Sequence, residues 1–309
     1  MSRTVPAVAG YQRQPVSVHI SVLTPTARSW LISDGDAVVH HLFPNVCNLI
    51  DEGRAMVSLV LREAALSPSS MLVASPISTN GELRFDERYG IDTRIVRSNE
   101  GLRIGDDLFS VDSARIWNPQ VDWDHCHRDH VLPYMPLIER ELRSAAPPGT
   151  LDKFISEEPL TGESRAFQAA CRFYLSALRS NDLGKIAMSS RGLAGLGEGL
   201  TPSGDDFLLG SIFAMWLVET EGLRKIIELI VSEATPRTTA LSAAWLHAAN
   251  GSEAAILWHW LFSSIVNDIE EDVIRFSRQI AETGHSSGAD ALSGFILTAK
   301  FLSRSSRTI

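Results

Sequence analysis

Two stretches of this chain repeat one pattern, and that pattern constrains the fold around it. Ser203-Gly204-Asp205-Asp206-Phe207-Leu208-Leu209-Gly210 and Ser287-Gly288-Ala289-Asp290-Ala291-Leu292-Ser293-Gly294 both read Ser-Gly-x-Asp-x-Leu-x-Gly, with Gly288 standing 84 positions after Gly204. Each copy follows a loop rich in glycine or serine and opens an apolar run of helical character. The spacing predicts two helix heads, each with free backbone N–H groups and an acidic residue in its first turn. Two such heads meeting around one polar cavity would form a site for an anion or a metal–anion pair, and the repetition suggests helices in a pseudo-twofold arrangement.

The surrounding sequence agrees with a helical domain. From about Gly162, apolar residues recur at three- and four-residue spacing: Phe167, Ala170, Cys171, Tyr174, Leu175 and Leu178. Further helices are predicted over 203–218, 222–234, 237–249, 253–266, 268–282 and 288–303. The run holding Trp258, Trp260, Leu261 and Phe262 is apolar on more than one side and reads as a central, buried helix.

The first half has a different period. Val16, Val18, Ile20 and Val22 alternate with Ser17, His19 and Ser21. Ser29–Ser33 and Ala37–Phe43 flank Asp34-Gly35-Asp36, a turn signal that predicts a hairpin. Met56–Leu61, Met71–Ala74, Thr93–Val96, Leu102–Ile104, Leu108–Val111 and Ala114–Trp117 are further candidate strands. Many short strands with polar turns point to a barrel or sandwich. The expected class is therefore α+β: a β-rich domain over 1–118, a connecting segment over 119–161 with a short helix from Pro136 to Ser144, and an all-α domain over 162–309.

Charge and cysteine usage narrow the setting. The net charge of −9 argues against nucleic acid as the main partner, because phosphate backbones need a basic surface, but leaves room for a small anionic substrate. Cys47, Cys126 and Cys171 are widely spaced and odd in number, which is no disulfide framework. Residues 1–14 hold no apolar core of signal-peptide length, and the longest apolar stretch, Phe207–Val218, is far short of the ~20 residues that span a bilayer. The expectation is a soluble cytoplasmic protein with no membrane partner.

The first motif copy carries the densest chemistry. Gly195, Gly197, Gly199 and Gly204 permit positive φ and close approach of backbone to ligand. Thr201 reads as an N-cap with Pro202 in the first helical position, so that the N–H groups of Ser203 and Gly204 face outward. Asp205 or Asp206 could hold Mg²⁺ or orient a substrate amine or amide. The plainer alternative is that the acids complement the helix dipole and the glycines permit close packing. No Walker loop and no Rossmann glycine fingerprint is present. The second copy adds His285, a candidate general acid/base or carboxylate ligand, or else a loop histidine. Ser287 and Gly288 would line the same site, and no sequence-level base is paired with Ser287 to make it a nucleophile. Thr239 and Ser242 could bind a ligand or could cap and pack their helix. The cluster Asp124-His125-Cys126-His127-Asp129-His130 has metal-ligand residue types without a zinc spacing, and reads as a solvated linker.

With Gly195-x-Gly197-x-Gly199-Leu200-Thr201-Pro202-Ser203-Gly204-Asp205-Asp206-Phe207-Leu208-x-Gly210, the Thr239-x-Leu241-Ser242 segment and Gly284-His285-Ser286-Ser287-Gly288-x-Asp290-x-Leu292-x-Gly294, the chain resembles the AllH-like family. The resemblance implies a subunit of an oxamate carbamoyltransferase, acting with two other subunits in allantoin-derived nitrogen catabolism. It implies transfer between carbamoyl phosphate and oxamate, giving oxalurate and phosphate, or the reverse. It transfers no catalytic residues. On the residues alone, the candidate catalytic groups are Asp206, His285 and Asp290. The candidate anion ligands are Gly197, Gly199, Thr201, Ser203, Gly204, Thr239, Ser242, Ser287 and Gly288, and the candidate Mg²⁺ ligands are Asp205, Asp206 and Asp290. Two other functions compete: a Mg²⁺-dependent hydrolase using those three acids, and a metabolite-binding or scaffolding subunit whose partners do the chemistry.

Overall fold

The computed structural model describes residues 15–74, 83–147, 162–218 and 221–305. Residues Ser17–Leu23 (β1), Ala37–Leu42 (β2), Val46–Asp51 (β3), Met56–Val60 (β4), Ser70–Val73 (β5), Arg94–Ser98 (β6), Gly101–Ile104 (β7) and Asp107–Ser110 (β8) form one sheet. The order is β5-β4-β3-β2-β6-β7-β8-β1, and a further β1–β5 pairing closes it into an eight-stranded barrel. Closure leaves the sheet without free edges, and its interior fills with Val18, Ile20, Val39, Leu49, Leu59, Met71, Leu102 and Phe109. A short strand, Arg115–Ile116 (β9), pairs with β1 beyond the end of β8.

The β1 alternation is present, with one interruption. A register shift between Ile20 and Val22 puts Ile20 and Leu23 into the barrel and turns Val22 outward. Val22 joins Val60 and Leu66 in an apolar seam that receives Ile256 and Trp260 from the helical half. The Ile256 N–H donates to the Leu66 carbonyl at 3.0 Å across that seam.

The hairpin expected around Asp34-Gly35-Asp36 is corrected. Pro25–Leu31 is a helix (α1): Thr24 caps it, accepting from the Ala27 N–H, and the proline sits in its first turn. Ala27, Trp30 and Leu31 face the barrel core at helical spacing. Asp34–Asp36 is only the link from α1 to β2, and the true hairpin partner of β2 is β3. A one-turn helix, Phe85–Arg88 (α2), adds Phe85 to the barrel core.

The helical half comprises Arg128–Val131 (α3), Met135–Ala145 (α4), Gly162–Ser180 (α5), Leu183–Leu193 (α6), Ser203–Trp216 (α7), Glu221–Ala234 (α8), Ala240–Asn250 (α9), Ile256–Val266 (α10), Glu270–Ala281 (α11) and Ser287–Ser305 (α12). Val121, Trp123, Cys126, Val131, Met135, Ile138 and Leu142 all enter its core. The helix at the centre is α7, whose every residue is buried, whereas α10 exposes Ser263 and Val266. Two polar side chains in the body of α7 find partners: Ser211 Oγ meets Tyr174 Oη and Thr298 Oγ1, each at 2.9 Å, and Trp216 Nε1 donates to Ala249 O at 2.8 Å. No helix among the described residues is long and apolar enough to cross a membrane.

Candidate functional site

The two motif copies are the heads of α7 and α12, and these helices cross in direct backbone contact. A Cβ at Gly210 would lie 1.7 Å from Ala291 O, and one at Gly294 would lie 2.0 Å from Phe207 O. Phe207 and Gly210 occupy the motif positions of Ala291 and Gly294, so each copy offers the other the same contact. This is the expected pseudo-twofold, read from equivalent atoms. Gly204 and Gly288 do the same toward the preceding helices: a Cβ would meet Leu193 O at 2.0 Å and Ile280 O at 1.6 Å, respectively. All four motif glycines thus serve close packing.

That packing corrects the anion-binding expectation for the helix heads. The Gly204 N–H donates to Leu196 O at 2.9 Å, and the Gly288 N–H to Thr283 O at 3.1 Å. The N–H groups of Asp205 and Asp206 both donate to Pro202 O. Gly197, at φ +116°, approaches so closely that a Cβ would lie 2.9 Å from the Ser203 nitrogen. Thr201 is not the N-cap, because the helix begins at Ser203 after Pro202. Its hydroxyl instead meets the Ser287 hydroxyl at 2.6 Å, a bond from one head to the other.

The acids divide. Asp205 Oδ1 accepts from the Gly195 N–H at 3.0 Å, and Oδ2 accepts from the Thr238 hydroxyl. Burial raises its pKa, and these donors pull it back. Asp205 therefore ties the glycine loop to the start of α9. Asp206 faces the other copy. It is 6% exposed, Asp290 is fully buried, and each supplies an electrostatic neighbour to this shared interior. Burial first, and then the charge of Asp290, push the Asp206 carboxyl well above the usual range, while the nearby Ser287 and Thr201 hydroxyls act in the opposite direction. Asp206 Oδ2 is buried and has no hydrogen-bond partner. Asp290 Oδ2 accepts from the Ser286 hydroxyl at 3.0 Å.

The other candidates fall around this pair. Gly197 and Gly199 lie in an exposed loop, both at positive φ, and His285 is exposed in the second loop beside Ser286 and Ser287. Thr239 caps α9, accepting from the Ser242 N–H at 3.1 Å, and donates to Leu200 O at 2.6 Å, which commits its hydroxyl within the chain. Ser242 is buried beside Asp205. Three contributors escaped the sequence reading. Thr238, outside the helix at extended φ and ψ, is freed to reach Asp205. Ser286 holds Asp290, and Cys171, buried on α5, lies close enough to Asp290 for its thiol pKa to be raised by burial and then by that charge.

Among the described residues no group of three His, Cys, Asp or Glu side chains is placed to hold a metal. This separates Asp205 from the proposed three-acid Mg²⁺ group and leaves the Asp124–His130 cluster without a metal centre. Two open clefts lie elsewhere: one of about 380 Å³ beside Trp123, Trp216 and Arg224, and one of about 360 Å³ between barrel and helices near Met56, Trp245 and Glu253. Neither touches a motif residue, and the candidate site is marked by its converging polar groups.

Residues 193–299 match the family model described as oxamate carbamoyltransferase subunit AllH. The matched span begins at the end of α6 and contains both motif copies, while the barrel lies outside it. No solved structure matches the chain.

Proposed function

We propose that this chain is a subunit of a carbamoyltransferase-type complex converting carbamoyl phosphate and oxamate to oxalurate and phosphate, or running the reverse. The observation that supports it is the family match over residues 193–299, the stretch in which both duplicated heads meet. The oxamate amide nitrogen would attack the carbamoyl carbon, the carbon–oxygen bond to phosphate would break, and the nitrogen would give up a proton. That proton needs an acceptor held out of water. The Asp206–Asp290 pair supplies carboxyl groups in such a place, with His285 at the exposed rim. The setting we assign is cytoplasmic purine and allantoin nitrogen catabolism, with partner subunits completing the enzyme.

The test is an oxalurate assay. The purified chain is supplied with carbamoyl phosphate and oxamate, alone and then with the proteins encoded beside it. Oxalurate formation in the mixture supports the reading, and none under any combination removes it. In an active mixture, Asp206→Asn is expected to slow turnover by about 100-fold or more. Full turnover by both Asp206→Asn and Asp290→Asn would make the chain a scaffold whose partners carry the chemistry.

A further inference from the structure

The end of α9 turns the chain back on itself. The Gly251 N–H donates to His247 O at 3.2 Å and the Ser252 N–H to Ala249 O at 3.0 Å. Ser252 then takes φ +61°, and the Glu253 N–H reaches Ala248 O at 2.9 Å. Glu253 thereby lines the cleft of about 360 Å³ between barrel and helices. Trp245 and Ala248 line the cleft from α9, and Met56 and Pro68 line it from the barrel. Met56 and Pro68 are buried, Trp245 and Glu253 half-buried. Burial is the one influence that moves the Glu253 carboxyl, and it raises its pKa; no described residue supplies that carboxyl with a donor or a counter-charge. We propose that this cleft, remote from the motif heads, binds a small organic cation, a primary ammonium or guanidinium on an apolar stem, with the Glu253 carboxylate as its counter-ion and Trp245, Met56 and Pro68 against the stem.

The wall chemistry chooses this class over its competitors. An anion would meet Glu253 with no Lys or Arg lining the cleft. A neutral apolar ligand would strip water from the carboxyl and give nothing in return. A metal ion needs several oxygens or nitrogens, and among the described residues no group of three His, Cys, Asp or Glu is placed to hold one. An organic cation satisfies the carboxylate and can lie against the indole face of Trp245. The cleft also runs along α9 to its C-terminal end at Gly251, where the helix dipole is negative and favours positive charge. His247, the other titratable group on the wall, is exposed at the rim, and Thr26 and Ser69 bring hydroxyls from the barrel side. The volume lies within the range of small-ligand pockets, which favour boundaries between domains. The same head group could arrive on a free amine or on a basic side chain of another protein, and the two are separated by choice of probe.

The test is a thermal-shift titration of the full chain with 2-phenylethylamine, 2-phenylethanol and 3-phenylpropionate, which carry an aromatic stem on a cationic, neutral or anionic head. A ligand of the folded form raises the melting temperature by mass action. The amine is expected to raise it and the alcohol and acid are not. Agmatine extends the series to guanidinium, and an end-blocked Gly-Lys-Gly peptide presents the ammonium as a side chain. A shift with the free amines assigns a free ligand, and a shift with the peptide alone assigns a partner's side chain. Glu253→Gln keeps the shape and removes the charge, and is expected to weaken the binding cation about 10-fold or more by calorimetric titration. Ala248→Leu keeps the charge and fills the cleft, and is expected to abolish the same shift, so the assignment does not hang on one variant's folding. Equal shifts from amine and alcohol, or a cation shift that survives both substitutions, would overturn the proposal. So would no shift with any of the three cationic probes at about 10 mM.

Discussion

Asp205 and Asp206 stand one residue apart on a helix, so their side chains point about 100° away from each other. That angle gives one carboxylate a structural task and the other a neighbour of like charge. Asp205 has donors on both oxygens, from Gly195 and Thr238. Asp206 has Asp290 instead, and its pKa is raised by burial and by that charge. The folded chain therefore holds this proton to higher pH than the unfolded chain does. The associated stability is complete below the ordinary carboxyl range, near pH 4, and is lost as pH climbs through the folded-state value. Asp206→Asn removes that loss, and its amide can donate to Asp290. The variant should melt at higher temperature than the parent, by a margin that widens as pH rises from about 4, read by calorimetry. A margin that shrinks with rising pH would contradict the assignment of a proton to the pair.

The crossing of α7 and α12 is decided by glycines, and this gives opposite expectations for chemically identical changes. Gly210→Ala and Gly294→Ala place a methyl group 1.7 Å and 2.0 Å from a backbone carbonyl that has no rotamer to escape into. Each should cost about 3 kcal/mol or more, read as a lower urea midpoint at unchanged slope. Gly192→Ala, in the last turn of α6, meets nothing within 4 Å and has no positive φ. That change should stabilise by about 0.5–1 kcal/mol through the backbone entropy of the unfolded chain. Both motif copies are needed for the effect at 210 and 294, because each glycine receives the carbonyl of the other copy.

At the scale of the molecule, the barrel and the helical half are joined by a seam of Val22, Val60, Leu66 and Ile256, all buried. Leu66 is 2% exposed and also receives the Ile256 N–H on its carbonyl. Leu66→Ala should cost about 2–4 kcal/mol. Because the seam serves both halves, hydrogen exchange should show amides in β4 and in α10 losing protection together. Loss confined to the barrel would mean that the two halves unfold independently.

Period carried much of this architecture. Alternation in β1 and three-to-four spacing in α5 are local consequences of burying one face, and both are legible residue by residue. The duplicated motif was equally legible, and with it the pairing of Asp206 with Asp290. The Thr24-Pro25 helix start was present in the chain too, but the turn signal of Asp34-Gly35-Asp36 outweighed it, and β3 was missed because its residues do not alternate cleanly in burial. What no local pattern could settle was the use of each group. A glycine before an acid reads alike whether it admits an anion or a neighbouring helix, and only the position of Leu193, Ile280, Phe207 and Ala291 chose the helix. Thr238, Ser286 and Cys171 enter the site through contacts made by folding. The chain by itself determined which faces are apolar and where helices begin, since those follow from side-chain period and capping. Tertiary packing alone decided which polar atoms find partners, and it left Asp206 Oδ2 without one.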